Sequence, residues 1–219
     1  MKKLLFWMVL IVGIVALIGS CAKKEESTTT AAATATATAT SKTTTTPSGS
    51  ITMGDYTISG VYISSCFTSG VSTYISAGMF PSDVKSYGRA FVVTGNDSIT
   101  SETHTFTDTG CTTSSYITKS LRDNVTVGTV SGANYPVTYN KQGAKLTVNT
   151  TTAETWLETL YENLGSTVNI TVGRETAFLS SSATLTYGLW TPSATTIYLA
   201  TESDNSTPST AGSSVYTKE

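Results

Sequence analysis

Apolar residues alternate with threonine or other small polar residues along the second half of the chain. The alternation occurs in residues 125–127, 135–139, 146–148, 168–172 and 185–189. A period of two puts the apolar side chains on one face of an extended strand, and threonine and tyrosine suit its pleat. Earlier strands are predicted over 55–64, 88–94 and 98–107, and residues 95–97, 131–134 and 141–143 have the composition of hairpin turns. These features predict an all-β antiparallel fold, closed as a barrel or stacked as a sandwich.

One segment has helical periodicity instead. Thr151-Thr152-Ala153-Glu154 resembles a capping box, and Gly165 is well placed to end the helix. The apolar residues on one face are Trp156, Leu157, Leu160 and Leu164, and the acidic residues on another face are Glu154, Glu158 and Glu162. We interpret the apolar stripe as packing on the sheet and the glutamates as a solvated face. A cation site formed by the glutamates is the alternative.

The N-terminal segment has the three-part layout of a secretory signal: Met1-Lys2-Lys3, an apolar run over residues 4–18, and small residues before Cys21. As a helix the run would be about 22 Å long, short of the roughly 30 Å hydrocarbon core of a membrane. Ile18-Gly19-Ser20-Cys21 resembles the lipobox of bacterial lipoproteins. That resemblance implies that residues 1–20 are removed and that Cys21 carries a diacylglycerol thioether, often with a third acyl chain. Plain secretion and a retained membrane anchor are the alternatives.

A membrane anchor at Cys21 predicts a lipid-anchored protein of the cell envelope, since more than one acyl chain gives stable anchoring. Because Ala22 rather than Asp follows the cysteine, the expected address in a Gram-negative cell is the outer membrane. Residues 21–50 contain no large apolar side chain and are rich in threonine and alanine. We predict that they form a disordered linker, because they have nothing to bury that would offset the entropy of ordering. Residues 51–219 are then one β-domain.

Charge argues against one class of partner. Of the 13 basic residues, Lys2 and Lys3 belong to the signal, which leaves 11 against 15 acidic residues and a net charge of about −4. The mature chain has no cluster of lysine and arginine, so nucleic acid is not an expected partner.

Cys66 and Cys111 are the two cysteines of the predicted domain. An exported compartment permits a disulfide between them, which would close a loop of about 46 residues and be worth roughly 4 kcal/mol. Two reduced thiols or a redox pair are the alternatives. The spacing is not that of a Cys-x-x-Cys motif, and we predict a structural disulfide.

Four stretches resemble bacterial lipoproteins with a lipocalin-like domain. Residues 56–66, Tyr-Thr-Ile-Ser-Gly-Val-Tyr-Ile-Ser-Ser-Cys, look like the opening strand of that family, with Tyr62 at the position usually held by tryptophan. Residues 105–112, Thr-Phe-Thr-Asp-Thr-Gly-Cys-Thr, are similar to its aromatic-x-Asp-x-x-Cys-Thr stretch, and residues 197–199 and 204–216 to its closing strands. Thr207-Pro208 replaces the Arg-Pro often found near the end. The resemblance implies an antiparallel barrel and no particular activity.

The sequence contains only incomplete matches to catalytic motifs. Ser82-Asp83-Val84-Lys85 and Ser203-Asp204-Asn205 match two elements of the serine β-lactamases, but the Lys-Thr-Gly strand that this chemistry needs is absent. His104 is the only histidine and shares a strand face with Glu102, Phe106 and Asp108. A metal site there would need ligands from other strands. We interpret His104 as a surface or barrel-mouth residue and predict no enzyme activity, no metal and no cofactor.

The tyrosines are the remaining functional signal, since the chain contains eleven of them. Aromatic side chains that face inward can line a cavity, and we name Tyr62, Tyr139 and Tyr187 as candidate ligand-binding residues. The first functional hypothesis is a binding module for a small apolar ligand or lipid. The alternative is an interaction or adhesion protein whose barrel is filled and whose outer surface contacts an envelope or host protein.

Overall fold

The computed structural model describes residues 43–178 and 183–219. The predicted signal, the lipidation site Cys21 and the linker up to residue 42 lie outside the described residues. The strands are β1 (Ile51–Met53), β2 (Tyr56–Ile58), β3 (Val61–Ile63), β4 (Ser86–Val93), β5 (Ile99–Phe106), β6 (Ser114–Val127), β7 (Tyr135–Val148), β8 (Glu175–Phe178), β9 (Thr184–Pro192), β10 (Thr196–Leu199) and β11 (Ser214–Lys218). The helices are α1 (Val71–Ser76) and α2 (Thr151–Asn163).

Eight of the strands close into an antiparallel barrel, which confirms the predicted fold class. Their order is β6-β5-β4-β3-β11-β10-β9-β7, and pairing between β7 and β6 completes the circle. Strand β7 is long enough to have two partners on its other edge, β9 along its first half and β8 along its second. Closure gives each barrel strand a neighbour on both sides, which is how such folds avoid the edge-strand problem.

Alternating side chains fill the barrel from both ends. At the end where β1 and β2 form a separate hairpin, the interior side chains make one apolar cluster, which we call the barrel core. Its members are Ile51, Met53, Ile58, Tyr62, Phe91, Val93, Ile99, Val125, Tyr135, Val137, Tyr139, Trp190, Ile197 and Tyr216. At the other end, the helices pack on a second cluster, the helix core, formed by Val71, Val84, Tyr87, Tyr116, Leu146, Val148, Ala153, Leu157, Tyr161 and Ile170.

Helix α2 confirms the predicted helical segment, with its cap one residue earlier than the capping box indicates. The Thr150 hydroxyl accepts the Ala153 N–H at 3.1 Å, and the helix ends before Gly165, whose φ is +75°. The buried face is Ala153, Leu157 and Tyr161, with Trp156 and Leu160 partly buried beside it. Tyr161 belongs to this face because it lies four residues after Leu157.

Three local predictions are wrong. Residues 55–64 are not one strand: β2 ends at Ile58, Gly60 has φ +82°, and β3, which pairs with β4, begins at Val61. Residues 141–143 are not a turn: β7 runs through them, because β6 lies alongside and two β7 residues face one β6 residue as a bulge. Before the bulge the buried residues are the odd-numbered Tyr135, Val137 and Tyr139. After the bulge they are the even-numbered Leu146 and Val148. Residues 168–172 are not a strand: they lie in the connection between α2 and β8, and Val168 and Ile170 pack on the helix core.

Residues 43–50, which the sequence assigns to the linker, lie against the outside of the barrel, and we call them the strap. The Ser48 N–H donates to the Val93 carbonyl at 2.9 Å. The Thr44 N–H donates to Glu102 Oε2 at 3.0 Å, and the Thr45 hydroxyl donates to the same carboxylate. The packed part of the chain therefore begins before residue 51.

Candidate functional site

The three tyrosines predicted to bind a ligand are divided between the two faces of the barrel wall. Tyr62 packs edge-on against Phe91 in the barrel core, with ring centroids 6.1 Å apart. Tyr139 packs against Trp190 at the same centroid separation. Tyr187 lies three residues before Trp190, whose side chain points inward. Tyr187 therefore points to the outer face of β9, where it is half-buried. The structure therefore does not bring the three side chains together.

Side chains of the barrel core and the helix core fill the interior of the described barrel. A cavity of about 20 Å³ lies between the barrel core and the charged side chains of Arg122 and Glu202. Phe91, Ile99 and Trp190 form part of its apolar lining. Such a space is close to the volume that one water molecule needs.

A cluster of charged side chains lies beside this cavity. The Arg122 Nε–H donates to Glu202 Oε1 at 2.8 Å, and Lys141 Nζ lies 3.2 Å from Glu202 Oε2. The Arg122 guanidinium also lies 5.8 Å from the centre of the Tyr139 ring. Burial raises the pKa of Glu202, but the positive charges of Arg122 and Lys141 outweigh it and lower that pKa to about 2. The carboxylate is therefore ionised at neutral pH.

Sequence reasoning missed this cluster. Arg122 and Lys141 come from neighbouring strands, but Glu202 comes from the loop between β10 and β11, 80 residues after Arg122. Alternation counted back from Val125 would place Arg122, three residues earlier, on the outer face; a bulge between Asp123 and Thr126 turns it inward, beside Ile99. Nothing in the local sequence of Glu202 marks it as the partner.

A second buried carboxylate lies on the outer wall, on β5. Glu102 is 1% exposed, and its Oε2 lies 2.5 Å from His104 Nε2. Burial raises the pKa of Glu102, but hydrogen bonds from His104, Thr45 and the Thr44 N–H lower it to about 2. His104 is 4% exposed, so its interpretation as a surface or barrel-mouth residue is wrong. The strap supplies donors to the pair, and a low-complexity segment gave no reason to expect them.

The disulfide between Cys66 and Cys111 is confirmed, with Cα atoms 6.0 Å apart. It joins the β3–β4 connection to the β5–β6 loop. Asp108 organises that loop by accepting the N–H groups of Thr113 at 2.6 Å and Gly110 at 2.8 Å. These bonds lower the pKa of Asp108 to about 2, with the Thr113 bond the largest contribution. The Phe-x-Asp-x-x-Cys-Thr stretch is thus a structural device that presents Cys111.

The residues that matched β-lactamase motifs have other surroundings. Ser82 and Lys85 lie in the loop before β4 and not on a helix. Between them, Asp83 accepts hydrogen bonds from Ser115 at 2.9 Å and from Thr150 at 2.7 Å. This loop therefore ties β6 to the start of α2.

Two features mark the outer surface. An open groove of about 570 Å³ lies beside the β1–β2 hairpin, between residues 50–52 and residues 125–127. On the wall formed by β9, β10 and β11, Tyr198 and Val215 are direct cross-strand neighbours and are each 38% exposed. Leu185, further along β9, is 50% exposed. We call Leu185, Tyr198 and Val215 the apolar wall.

No protein-family model and no curated protein matches the chain. Within residues 43–178 and 183–219, no three histidine, cysteine, aspartate or glutamate side chains come together in a way that could hold a metal ion. Neither helix of the described part is long and apolar enough to cross a membrane.

Proposed function

We propose that this protein is a non-enzymatic interaction protein of the cell envelope, anchored by a lipid on Cys21, whose barrel presents its outer surface to a protein partner. The observation that carries the proposal is the filled interior. Pockets for small molecules occupy roughly 300–1,000 Å³, whereas the interior cavity measures about 20 Å³. This favours the interaction protein over the carrier of a small apolar ligand.

The sequence supports the location, and the fold supports the resemblance. The lipobox-like segment ending at Cys21 is the reason to place the protein at a membrane. An eight-stranded antiparallel barrel is what a lipocalin-like domain implies, and barrels of this size are often filled by their own side chains. A lipocalin-like envelope lipoprotein whose barrel acts as a scaffold agrees with the expected membrane location and with the filled barrel.

The apolar wall is the part of the surface that we assign to the partner. Strand β10 turns Ile197 inward, where it is fully buried, and leaves Tyr198 in solvent beside Val215. Tyrosine is enriched in protein interfaces because it offers a large, rigid apolar surface with a polar tip. Tyr198 and Val215 are adjacent on this wall and suit an envelope or host protein as partner, whereas Leu185 lies six residues along β9 from Thr191, the neighbour of Tyr198.

Site-specific photocrosslinking in the cells that produce the protein tests this assignment. A photoreactive residue at Tyr198 should give a discrete adduct with one protein. Leu121, which is 40% exposed on the outer face of β6, is the matched control position and should not give that adduct. The proposal fails if Tyr198 gives no adduct or if both positions give the same one.

Native mass spectrometry of the full chain, purified after export, separates the two functions. The interaction protein should have the mass of the lipidated polypeptide alone, both natively and after denaturation. Additional mass that is present natively, lost on denaturation and assigned to an uncharged apolar molecule would instead support the carrier.

A further inference from the structure

Two positive charges face each other inside the barrel. Arg122 on β6 and Lys141 on β7 are direct cross-strand partners. Arg122 pairs with the buried Ile99 of β5 on its other side, and it is only 8% exposed. Like charges directly opposite each other on a sheet repel, and burial strengthens the repulsion. This pair of strands therefore needs an anion between the two side chains.

Glu202 supplies that anion from outside the sheet. Its Oε1 accepts from Arg122 Nε and Nη2, and its Oε2 lies 3.2 Å from Lys141 Nζ. The guanidinium is further fixed by its bond to the Ser120 carbonyl at 3.4 Å. Both cations are held in place by the strand ladder, so the receptor for a carboxylate is built on rigid elements.

The loop that carries Glu202 is less firmly held than the strands. It connects β10 to β11 over residues 200–213, and most of its residues after 203 are exposed. Next to Glu202, Ser203 is bonded to Tyr187 through two main-chain hydrogen bonds of 2.7 and 3.0 Å, as an isolated bridge. Segments with exposed backbone and few ladder bonds open at lower free energy than barrel strands.

Apolar rings adjoin the carboxylate position. The cavity of about 20 Å³ that Glu202 lines is also lined by Phe91, Ile99, Trp190 and Leu199. A ligand could enter only where the Glu202 side chain and its loop give way. Its charged end would then meet Arg122 and Lys141, and its apolar end would meet the rings.

We propose that Arg122 and Lys141 form a carboxylate-binding site, which Glu202 occupies from within the chain and which a small amphiphile with a carboxylate head takes over when the loop 200–213 moves. The proposed ligand class is an alkyl or aryl carboxylate. This site goes beyond the surface function proposed above, since it assigns a second, regulated binding site to the interior.

The chain contains a matched control for this site. On the outside of the same two strands, Lys119 and Lys145 are also cross-strand partners, and Glu175 binds both, at 3.4 and 3.1 Å. That cluster is exposed, with the Lys145 side chain 62% accessible. It reproduces the charges of the interior site around a more exposed carboxylate, since the Glu175 side chain is 38% accessible and that of Glu202 is 21% accessible.

Thermal unfolding of the full chain with Glu202→Ala or Glu175→Ala tests the proposal. E202A should lower Tm by more than E175A, because it leaves the buried Arg122 guanidinium and the partly exposed Lys141 ammonium unpaired. Octanoate should restore at least half of the Tm lost in E202A, since a ligand that binds only the folded state stabilises it. Octan-1-ol, which lacks the charge, should not restore it, and octanoate should leave E175A unchanged. Absence of recovery, or equal recovery with octan-1-ol or in E175A, would show that Glu202 is only a loop anchor.

A second measurement covers the case in which E202A does not fold. Glu202→Gln keeps the shape of the side chain and removes its charge. Native mass spectrometry of E202Q in octanoate should show one retained octanoate per chain, and adding Arg122→Gln should abolish it. If E202Q retains none, or if the double variant retains as much, the proposal is overturned.

Discussion

Glu102 shows how a single charged residue can be accommodated on the outer wall of a barrel. It is almost completely buried, and its carboxylate is satisfied by His104 on its own strand and by Thr44 and Thr45 of the strap. Its pKa is about 2, against about 4.3 for an unperturbed glutamate. Because the folded-state value is the lower one, Glu102 stabilises the fold above about pH 4, and this contribution is lost as the pH falls toward 2.

We therefore expect Glu102→Gln to destabilise the protein at pH 7 by about 1–3 kcal/mol, since the shift of the pKa corresponds to roughly 3 kcal/mol at most. The difference from wild type should shrink as the pH is lowered from 4.5 to 2. Denaturant unfolding over this pH range measures both effects. Glu175→Gln is the control, because Glu175 is 38% exposed and surface ion pairs contribute about 0–1 kcal/mol. A Glu102→Gln variant as stable as wild type at pH 7 would contradict this account.

At the scale of structural elements, the position of the strap against the barrel depends on one glycine. Gly49 has φ +69°, and a Cβ atom there would lie 2.6 Å from the carbonyl carbon of Gly95 in the β4–β5 turn. An alanine is strained by the backbone angle and cannot keep this close approach. The strap must then move away from the turn.

Gly49→Ala should therefore release the strap while the barrel stays folded. Hydrogen exchange followed by mass spectrometry should show faster exchange in residues 43–50, where the N–H groups of Thr44 and Ser48 are bonded to the barrel. Gly173→Ala is the matched control: Gly173 has φ +80°, but a Cβ atom there would point into open space as far as the described residues are concerned. Unchanged exchange in the strap of the Gly49→Ala variant would show that the segment is held in another way.

The elements that the sequence predicts well are those whose signals are local. Strand patterns located β4, β5 and β9, the end of β6 and two parts of β7, and the threonines before Ala153 together with Gly165 bracketed α2 to within one residue. The turn predicted at residues 141–143 is wrong because glycine, here Gly143, occurs both in turns and in β-bulges. Only the continuous pairing with β6 distinguishes the two. Residues 168–172 alternate as a strand does, but their apolar residues Val168 and Ile170 pack on the helix core instead of pairing in the sheet.

At the scale of the whole molecule, the features that decide function depend on distant contacts. Whether a run of strands closes, and whether its interior is hollow, follows from the pairing of β6 with β7 and from the volumes that meet inside. The tyrosines predicted to line a cavity instead fill one, as Tyr62 does against Phe91. The Glu202–Arg122 pair bridges 80 residues, and periodicity carries no information at that range.

The disulfide acts at this same scale, because it links two connections at one end of the barrel. Cys66 follows β3 and Cys111 precedes β6, so the bond spans the segment that contains β4 and β5. The sequence separation of 45 residues makes the loop that it closes in the unfolded chain long. Closing such a loop stabilises the folded state by roughly 4 kcal/mol when the effect is treated as chain entropy alone.

Reduction should accordingly lower the free energy of unfolding by about 2–4 kcal/mol, with the barrel still formed, because both cores are built from side chains other than the two cysteines. Urea unfolding with and without dithiothreitol measures the loss. The Cys66→Ser/Cys111→Ser variant should have the stability of the reduced protein and should not respond to dithiothreitol. If wild type and this variant unfold at the same urea concentration without reductant, the bond contributes nothing to stability. Asp108 and its hydrogen bonds would then be sufficient to hold the β5–β6 loop in place.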